Sequence, residues 1–390
     1  MLALLGVAWL LSNDRKAVSL RLVLAGMALQ FLFAVAILWT TPGKVLFSWA
    51  RELITRVLAS SDAGAEVVFG ETFKEHFFAF AVLPAIIFVA STMAILFHLG
   101  ILQKVIAGMA KAMAKVMNVS GSESLCAAAN VFAGHTEAPL AIRPYLATMT
   151  RSEIMAMMTG GMATVSGGTL AAYAGLGVDP GHLLTASVIS APASLVVAKI
   201  MIPETQESPT KGEVKIVVPK QDANLLDAAC RGASEGVRLA INVAAMLIAF
   251  LALVALVNEG LKIFPEVAGE PLTLERILGW AFAPVAWIVG VEWRDARTVG
   301  MLLGKRTILN EFVAFIDLAE LKEQISERSY ILAVYALCGF ANFGSIAVQI
   351  GGIGSLVPER RKDFAQLGFR AMIAGTIATL LTATVVGMLI

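Results

Sequence analysis

The sequence predicts an all-α polytopic membrane protein with about eight transmembrane helices, two re-entrant helical hairpins, interfacial helices and an inverted repeat. Three observations carry this. Of 390 residues, 58% are hydrophobic and only 15% charged, with a mean hydropathy of +0.78; an average soluble domain carries roughly 25% charge. Apolar runs that approach the ~20 residues a bilayer-spanning helix needs recur along the chain. One order of features, an acidic polar patch followed by a glycine-broken apolar segment, occurs twice.

In chain order, the candidate spans are residues 1–12, 18–40, 77–100, 155–176, 183–202, 239–258, 329–352 and 366–390. The first is short. No basic stretch precedes it and no small-residue cleavage site follows, so it reads as a span rather than a cleaved signal. Residues 45–59 and 101–118 are amphipathic. Lys104, Lys111 and Lys115 fall on one helix face, the pattern of a helix lying in the interface. Residues 272–290 form a third apolar helix, with Gly279 and Pro284 inside it. Segments 121–148 and 292–325 carry charges and turn residues midway, so they are expected as re-entrant hairpins. Irregular backbone at that depth is tolerated only when buried in protein or lining a wet cavity.

The expected organisation follows. Residues 1–76 hold the N-terminal spans and interfacial helix of a scaffold. Residues 77–202 form a first repeat with hairpin 121–148 and broken helix 155–177. The hydrophilic stretch 203–223 is a connector, and 224–390 form a second repeat with hairpin 292–325 and broken helix 329–352. An odd number of crossings separates the repeats, so they are inverted, the architecture that puts binding sites at the midplane. The basic loops at Asp14-Arg15-Lys16 with Arg21, and at Glu359-Arg360-Arg361-Lys362, assign the cytoplasmic side and turn both termini outward.

The net charge of +1 says nothing about nucleic acid, and no basic patch is dense enough to suggest it. Cys126, Cys230 and Cys338 show no metal or disulfide spacing, and the four histidines are dispersed. No nucleophile–base pair or phosphate loop is present, so the chain is not expected to be an enzyme. The polar patches point instead to a transport site. His135, Thr136 and Glu137 stand together before Pro139, and a carboxylate at the bilayer centre costs about 2.5–3.5 kcal/mol on insertion scales. An interfacial helix cap is the ordinary alternative.

Residues 155–177 contain Gly160, Gly161, Gly167, Gly168, Gly175 and Gly177. Either small residues let helices pack closely, or an unwound helix frees carbonyls for a cation. Thr164 and Ser166 between the glycine pairs favour the second reading, and the Asn130 amide oxygen is a hard ligand suited to sodium. Glu311 and Asn310 repeat the theme. Asn342 and Ser345, three apart, share a helical face, flanked by Phe340 and Phe343. Carboxylate, amide and hydroxyl suit a polyhydroxylated ligand, and an aromatic ring suits a planar one.

At Gly-x-Thr-Glu-Ala-Pro (134–139), Gly290-Val291-Glu292-Trp293, Asn-Glu-Phe-Val-Ala (310–314) and Cys-Gly-Phe-Ala-Asn-Phe-Gly-Ser-Ile (338–346), the chain resembles the concentrative nucleoside transporter family. The resemblance runs from Ser12 to the last span. It implies a homotrimer in a bacterial-type inner membrane, with a scaffold and a transport domain that shifts like an elevator. It implies sodium (Na+) as coupling ion, and nucleosides such as uridine, cytidine and adenosine as substrates. By position, His135, Thr136 and Glu137 would face the nucleobase. Glu311, Asn342 and Ser345 would bind the ribose, and Phe340 would line the pocket. Asn130 and Thr164, with carbonyls near Ala133 and Val165, would hold the cation. Retention of both Asn130 and Thr164 favours sodium. Proton coupling within the same family is the alternative, and a channel a more distant one.

Two departures stand out. Residues 64–76 are short relative to the family. His135 occupies a position where the family usually has Gln. Neutral His offers a donor and an acceptor on different sides of its ring, and charged His only donates. Ligand affinity is therefore expected to depend on pH near the ordinary His pKa of about 6.5. Uptake measured from about pH 5.5 to 8 checks this, and an unchanged substrate affinity would remove it.

Overall fold

Helices make up the regular structure of the described residues, apart from one isolated bridge between Val267 and Glu270. A bilayer imposes this, because backbone groups in hydrocarbon find no water to bond. The computed structural model describes residues 1–73, 78–211, 222–267 and 269–390. Residue 77 of the span expected at 77–100, the end of the 64–76 stretch and residues 212–221 of the 203–223 connector lie outside these.

The N-terminal region comprises α1 (Leu2–Leu10), α2 (Leu20–Leu38) and α3 (Thr41–Phe69). At nine residues, α1 is about 13.5 Å long, under half of a ~30 Å hydrocarbon core, so the span expected over 1–12 does not cross as one helix. The amphipathic helix expected over 45–59 is longer at both ends. Thr40 caps it, its hydroxyl accepting from Gly43 N at 3.1 Å, and Gly70 at φ +85° stops it.

In the first half, a π-helical turn (Phe78–Val82) leads into α4 (Leu83–His98), followed by α5 (Ile101–Met117) and α6 (Gly121–Ala129). The chain returns through a 3₁₀ segment, Ala138–Thr148. This return arm is not the α-helix a helical hairpin would supply, because Pro139 and Pro144 remove two backbone donors. Then come α7 (Arg151–Ala163), α8 (Gly167–Gly175) and α9 (Pro180–Met201).

The second half follows the same order. It begins with α10 (Leu225–Leu261) and α11 (Leu274–Val289), continues through the hairpin α12 (Trp293–Ile308) and α13 (Glu311–Glu320), and reaches the broken pair α14 (Glu327–Leu337) and α15 (Phe343–Leu356). A short 3₁₀ turn, Pro358–Arg360, precedes α16 (Arg361–Gly387). Helices α11 and α12 fold back on each other, bent by 116°. Five described helices are long and apolar enough to cross alone: α2, α4 with its preceding turn, α9, α10 and α16 with its preceding turn. The spans expected at 155–176 and 329–352 are each interrupted, as α7–α8 and α14–α15.

Burial separates a central bundle from an outer pair. The most apolar stretch of α9 is 89% buried and that of α16 is 78% buried, whereas that of α10 is 17% buried. Helices α4 and α10 pack together where Gly232 and Gly236 leave no room for a Cβ against α4 backbone. In the bundle, Lys199 of α9 bonds Glu123 at 2.7 Å and Glu204 at 3.2 Å. Glu123 also closes the capping box of α6, and Glu153 closes that of α7. Ser122 and Ser208 both donate to Glu153, at 3.1 and 2.5 Å. The starts of α6 and α7 are thereby tied to the end of α9.

The two helix breaks touch. A Cβ on Gly339 would stand 2.8 Å from the Met162 carbonyl oxygen and 2.8 Å from Thr379 Cγ2. Backbone cannot yield cheaply, so Gly339→Ala is expected to destabilise by about 1–3 kcal/mol. Gly64 lies exposed on α3 with nothing within 4 Å, and Gly64→Ala is expected to be neutral or to stabilise by up to ~1 kcal/mol. Thermal midpoints of the detergent-solubilised proteins check the contrast. Equal midpoints would mean the breaks are not in contact.

Candidate functional site

A cavity of about 760 Å³ opens between the halves. The first hairpin turn supplies His135, Thr136 and Glu137, and the second half supplies Glu311, Phe340, Asn342 and Ser345. All seven residues expected to meet the ligand therefore line one space, although Glu137 and Glu311 are far apart in sequence.

Glu311 is the best-organised group. It stands in the first turn of α13, whose cap Asn310 accepts from Val313 N at 2.9 Å. Its side chain is buried, 6% exposed. The Tyr173 hydroxyl donates to Oε1 at 3.0 Å, and Asn342 Nδ2 donates to Oε2 at 2.8 Å. Asn342 in turn caps α15, its Oδ1 accepting from Ser345 N at 2.8 Å. The amide is thus fixed at both ends, and Glu311 keeps lone pairs for hydroxyl donors. Helices α8, α13 and α15 all begin at this cavity, through Ser166, Asn310 and Asn342. Their positive ends favour an anion there.

Across the cavity, the rings of His135 and Phe340 lie 4.9 Å apart, tilted by 54°. His135 Nδ1 is buried and has no hydrogen-bond partner. The close approach needs Gly161, where a Cβ would meet His135 Cβ at 2.6 Å. Thr136 packs on Gly352 in the same way. Glu137 turns back on its own loop, Oε2 accepting from Gly134 N at 3.2 Å, and is otherwise exposed. Phe343, which flanks Asn342 in sequence, is 49% exposed and does not line the cavity.

Of the residues expected at the cation, Ala133 lines the cavity, and Asn130, Thr164 and Val165 lie behind it. Asn130 ends α6 and Thr164 ends α7, both buried. Asn130 stands against the α7 glycines, its Nδ2 3.2 Å from where a Gly160 Cβ would sit. The break after Thr164 docks on the hairpin turn, with Gly167 N donating to Phe132 O at 3.0 Å. Thr164 Oγ1 donates to Gly160 O at 3.0 Å, which leaves its lone pairs free. Asn130 Oδ1 is buried and accepts no hydrogen bond. Ala133 and Val165 are buried in the same two turns. Two helix C-termini, an orphan amide oxygen and a hydroxyl form a hard-oxygen, electronegative corner that fits a small cation.

Five contributors escaped sequence reading. Tyr173, a member of the glycine-rich segment, gave no signal. Gln349 is fully buried and donates to Met158 O at 3.1 Å, bridging α15 to α7; its spacing of seven from Asn342 on an apolar helix was the available clue. At the mouth, Asp222 accepts from Arg231 Nε at 2.6 Å and Nη2 at 3.0 Å, and Arg231 also reaches Glu235 at 2.9 Å. The Arg231 guanidinium holds the Asp222 carboxyl below the usual range.

Comparison with known proteins gives a consistent result. A family profile described as "Na+ dependent nucleoside transporter C-terminus" matches residues 182–387, and one described as "Na+ dependent nucleoside transporter N-terminus" matches residues 1–72. A third, "Nucleoside recognition", matches 79–179. The uncharacterized transporter YutK of Bacillus subtilis is 40% identical, covering 100% of this chain and 97% of its own length. Sodium/nucleoside cotransporter 1 of Rattus norvegicus is 43% identical over 97% of this chain but 61% of its own length. Solute carrier family 28 member 3 of Eptatretus stoutii is 42% identical over 98% of this chain, which spans 59% of that relative. Among solved structures, CNTnw in an inward-facing substrate-bound state superposes with a TM-score of 0.92 at 39% identity, covering 99% and 97% of the two chains. An outward-facing variant of CNTnw also gives 0.92, at 38% identity, covering 99% and 95%.

The two-layer arrangement has a direct test. Cys230 is the exposed cysteine among the three. In a Cys230→Ser background, a hydrophilic maleimide is expected to label Thr136→Cys and Phe340→Cys, which line the cavity. Asn130→Cys and Thr164→Cys, behind it, are expected to stay unlabelled in the folded protein. Equal labelling of both pairs would dissolve the distinction.

Proposed function

Because the chain belongs to the concentrative nucleoside transporter family, we propose that it is a sodium-coupled nucleoside symporter. It moves nucleosides such as uridine, cytidine and adenosine inward by an elevator-type alternating-access mechanism. The observation that carries this reading is the single cavity in which a buried, hydrogen-bonded carboxylate faces an imidazole–phenyl pair. A ribose offers hydroxyl donors to Glu311, Asn342 and Ser345. A planar base suits the faces of His135 and Phe340, with Thr136 and Glu137 at its polar edge. In this reading the protein is a homotrimer of the bacterial-type cytoplasmic membrane, with its C-terminus outward.

Sodium sits at Asn130 and Thr164, with the carbonyls of Ala133 and Val165. The orphan Asn130 Oδ1 supports this, because a buried acceptor without a partner is costly and a bound cation removes that cost. The same hairpin turn carries Asn130 at its start and His135, Thr136 and Glu137 at its end. An ion that fixes the start therefore orders the nucleobase-facing end. Linkage then requires each ligand to raise affinity for the other by the same factor.

Uptake of radiolabelled uridine and adenosine into proteoliposomes, with sodium and proton gradients imposed separately, tests the proposal. Sodium-driven accumulation is expected. Glu311→Gln is expected to lose about 1.5–3 kcal/mol of nucleoside binding, the worth of hydrogen bonds to a charged group. Asn130→Ala is expected to raise the half-saturating sodium concentration about tenfold or more. Accumulation driven by protons alone would replace sodium with proton symport, and downhill flux without accumulation would make the protein a channel.

A further inference from the structure

The halves treat equivalent helix ends differently. In the first half, α6 and α7 bring their C-termini together, and the acceptor between them, Asn130 Oδ1, has no partner. In the second half, α12 and α14 hold the corresponding positions, first hairpin arm against first segment of the broken helix. There the corner is filled from within. Arg306, in the last turn of α12, is 0% exposed. Its Nη1 donates to the Ala336 carbonyl, in the last turn of α14, at 2.5 Å and to Thr379 Oγ1 of α16 at 2.8 Å. Its Nη2 donates to Thr376 Oγ1 at 3.0 Å.

All three acceptors are neutral, and none of the ion pairs among the described residues includes Arg306. A guanidinium stays charged in proteins, so this is a permanent buried cation. The nearest carboxylate in sequence is Glu311, across the turn at Leu309 and Asn310, and it too is buried with only neutral partners. Charges in a low-dielectric interior act on each other beyond hydrogen-bond distance. The negative ends of α12 and α14 add to the field that a cation at Arg306 satisfies.

We propose that Arg306 is a tethered counterpart of the dissolved cation. It occupies in the second half the place the exchangeable ion takes in the first, and it compensates Glu311 so that this half of the site is charged and shaped before any ligand arrives. Arg306 is a positioning residue that acts through Glu311. It makes the ion requirement a property of the first half alone. The inference rests on Glu311 being the ribose carboxylate, as proposed above.

The test compares Arg306→Met, Arg306→Lys and the double variant Arg306→Met/Glu311→Gln by thermal midpoint, uridine affinity and the sodium-induced shift in midpoint without nucleoside. Arg306→Met is expected to lower the midpoint and to weaken uridine binding about tenfold or more, with the sodium shift retained. Arg306→Lys keeps the charge and is expected to lose less on both counts. The double variant removes both buried charges, so its midpoint is expected at or above that of Arg306→Met. A further fall in the double variant, or equal damage from Lys and Met, would make Arg306 a geometric brace and overturn the proposal. Loss of the sodium shift in Arg306→Met would overturn its independence from the first half. If Arg306→Met does not fold, the Lys and double variants decide. A wild-type protein with no sodium shift would refute sodium coupling instead, and the midpoint comparison would still judge Arg306.

Discussion

A broken helix inside a membrane leaves backbone donors and acceptors with no water to satisfy them, and the rest of this structure answers that constraint. The breaks at Thr164–Ser166 and Cys338–Asn342 are packed against each other through Gly339 and lean on hairpin turns. The helix starts are given partners. Ser166, Asn310 and Asn342 cap the helices that start there, and Gly167 N bonds the hairpin carbonyl of Phe132. The polar centre of the protein exists because these ends need one another.

Helix polarity then sorts the chemistry. Starts of helices gather at the cavity, so the buried carboxylate of Glu311 sits where partial positive charge is concentrated. Ends of helices gather behind it, where hard oxygens and a guanidinium belong. The anion-favouring and cation-favouring regions share the same short breaks. In the proposed reading, occupancy of one is felt by the other without a long relay of contacts, a short route for coupling an ion to a solute at the midplane.

The scaffolding is unequal by design of its burial. Helices α9 and α16 are sunk in protein and carry the polar ties, including the Lys199 junction that anchors the starts of α6 and α7. An unpaired charge there would cost several kcal/mol, so the junction holds these helices as a unit. Helices α4 and α10 present most of their surface outward and meet through small residues. The chain superposes equally well on inward-facing and outward-facing relatives.

The sequence by itself determined the class of the protein and the identity of its polar patches. Composition and apolar length fix a helical membrane fold because the bilayer permits little else, and charges such as Glu137 and Glu311 in apolar runs mark themselves by their cost. Motifs at 134–139, 310–314 and 338–346 marked the residues that line the cavity. Only the tertiary structure decided what they do together. Spacing could not show that Asn130 lies behind the wall rather than in it, that Tyr173 completes Glu311, or that Phe343 faces away. Nor could it show that Arg306, one charge among several on a hairpin, ends in the interior beside α14 and α16. Those assignments depend on contacts between segments distant in sequence, and one-dimensional periodicity reports which face a residue occupies but not what that face meets.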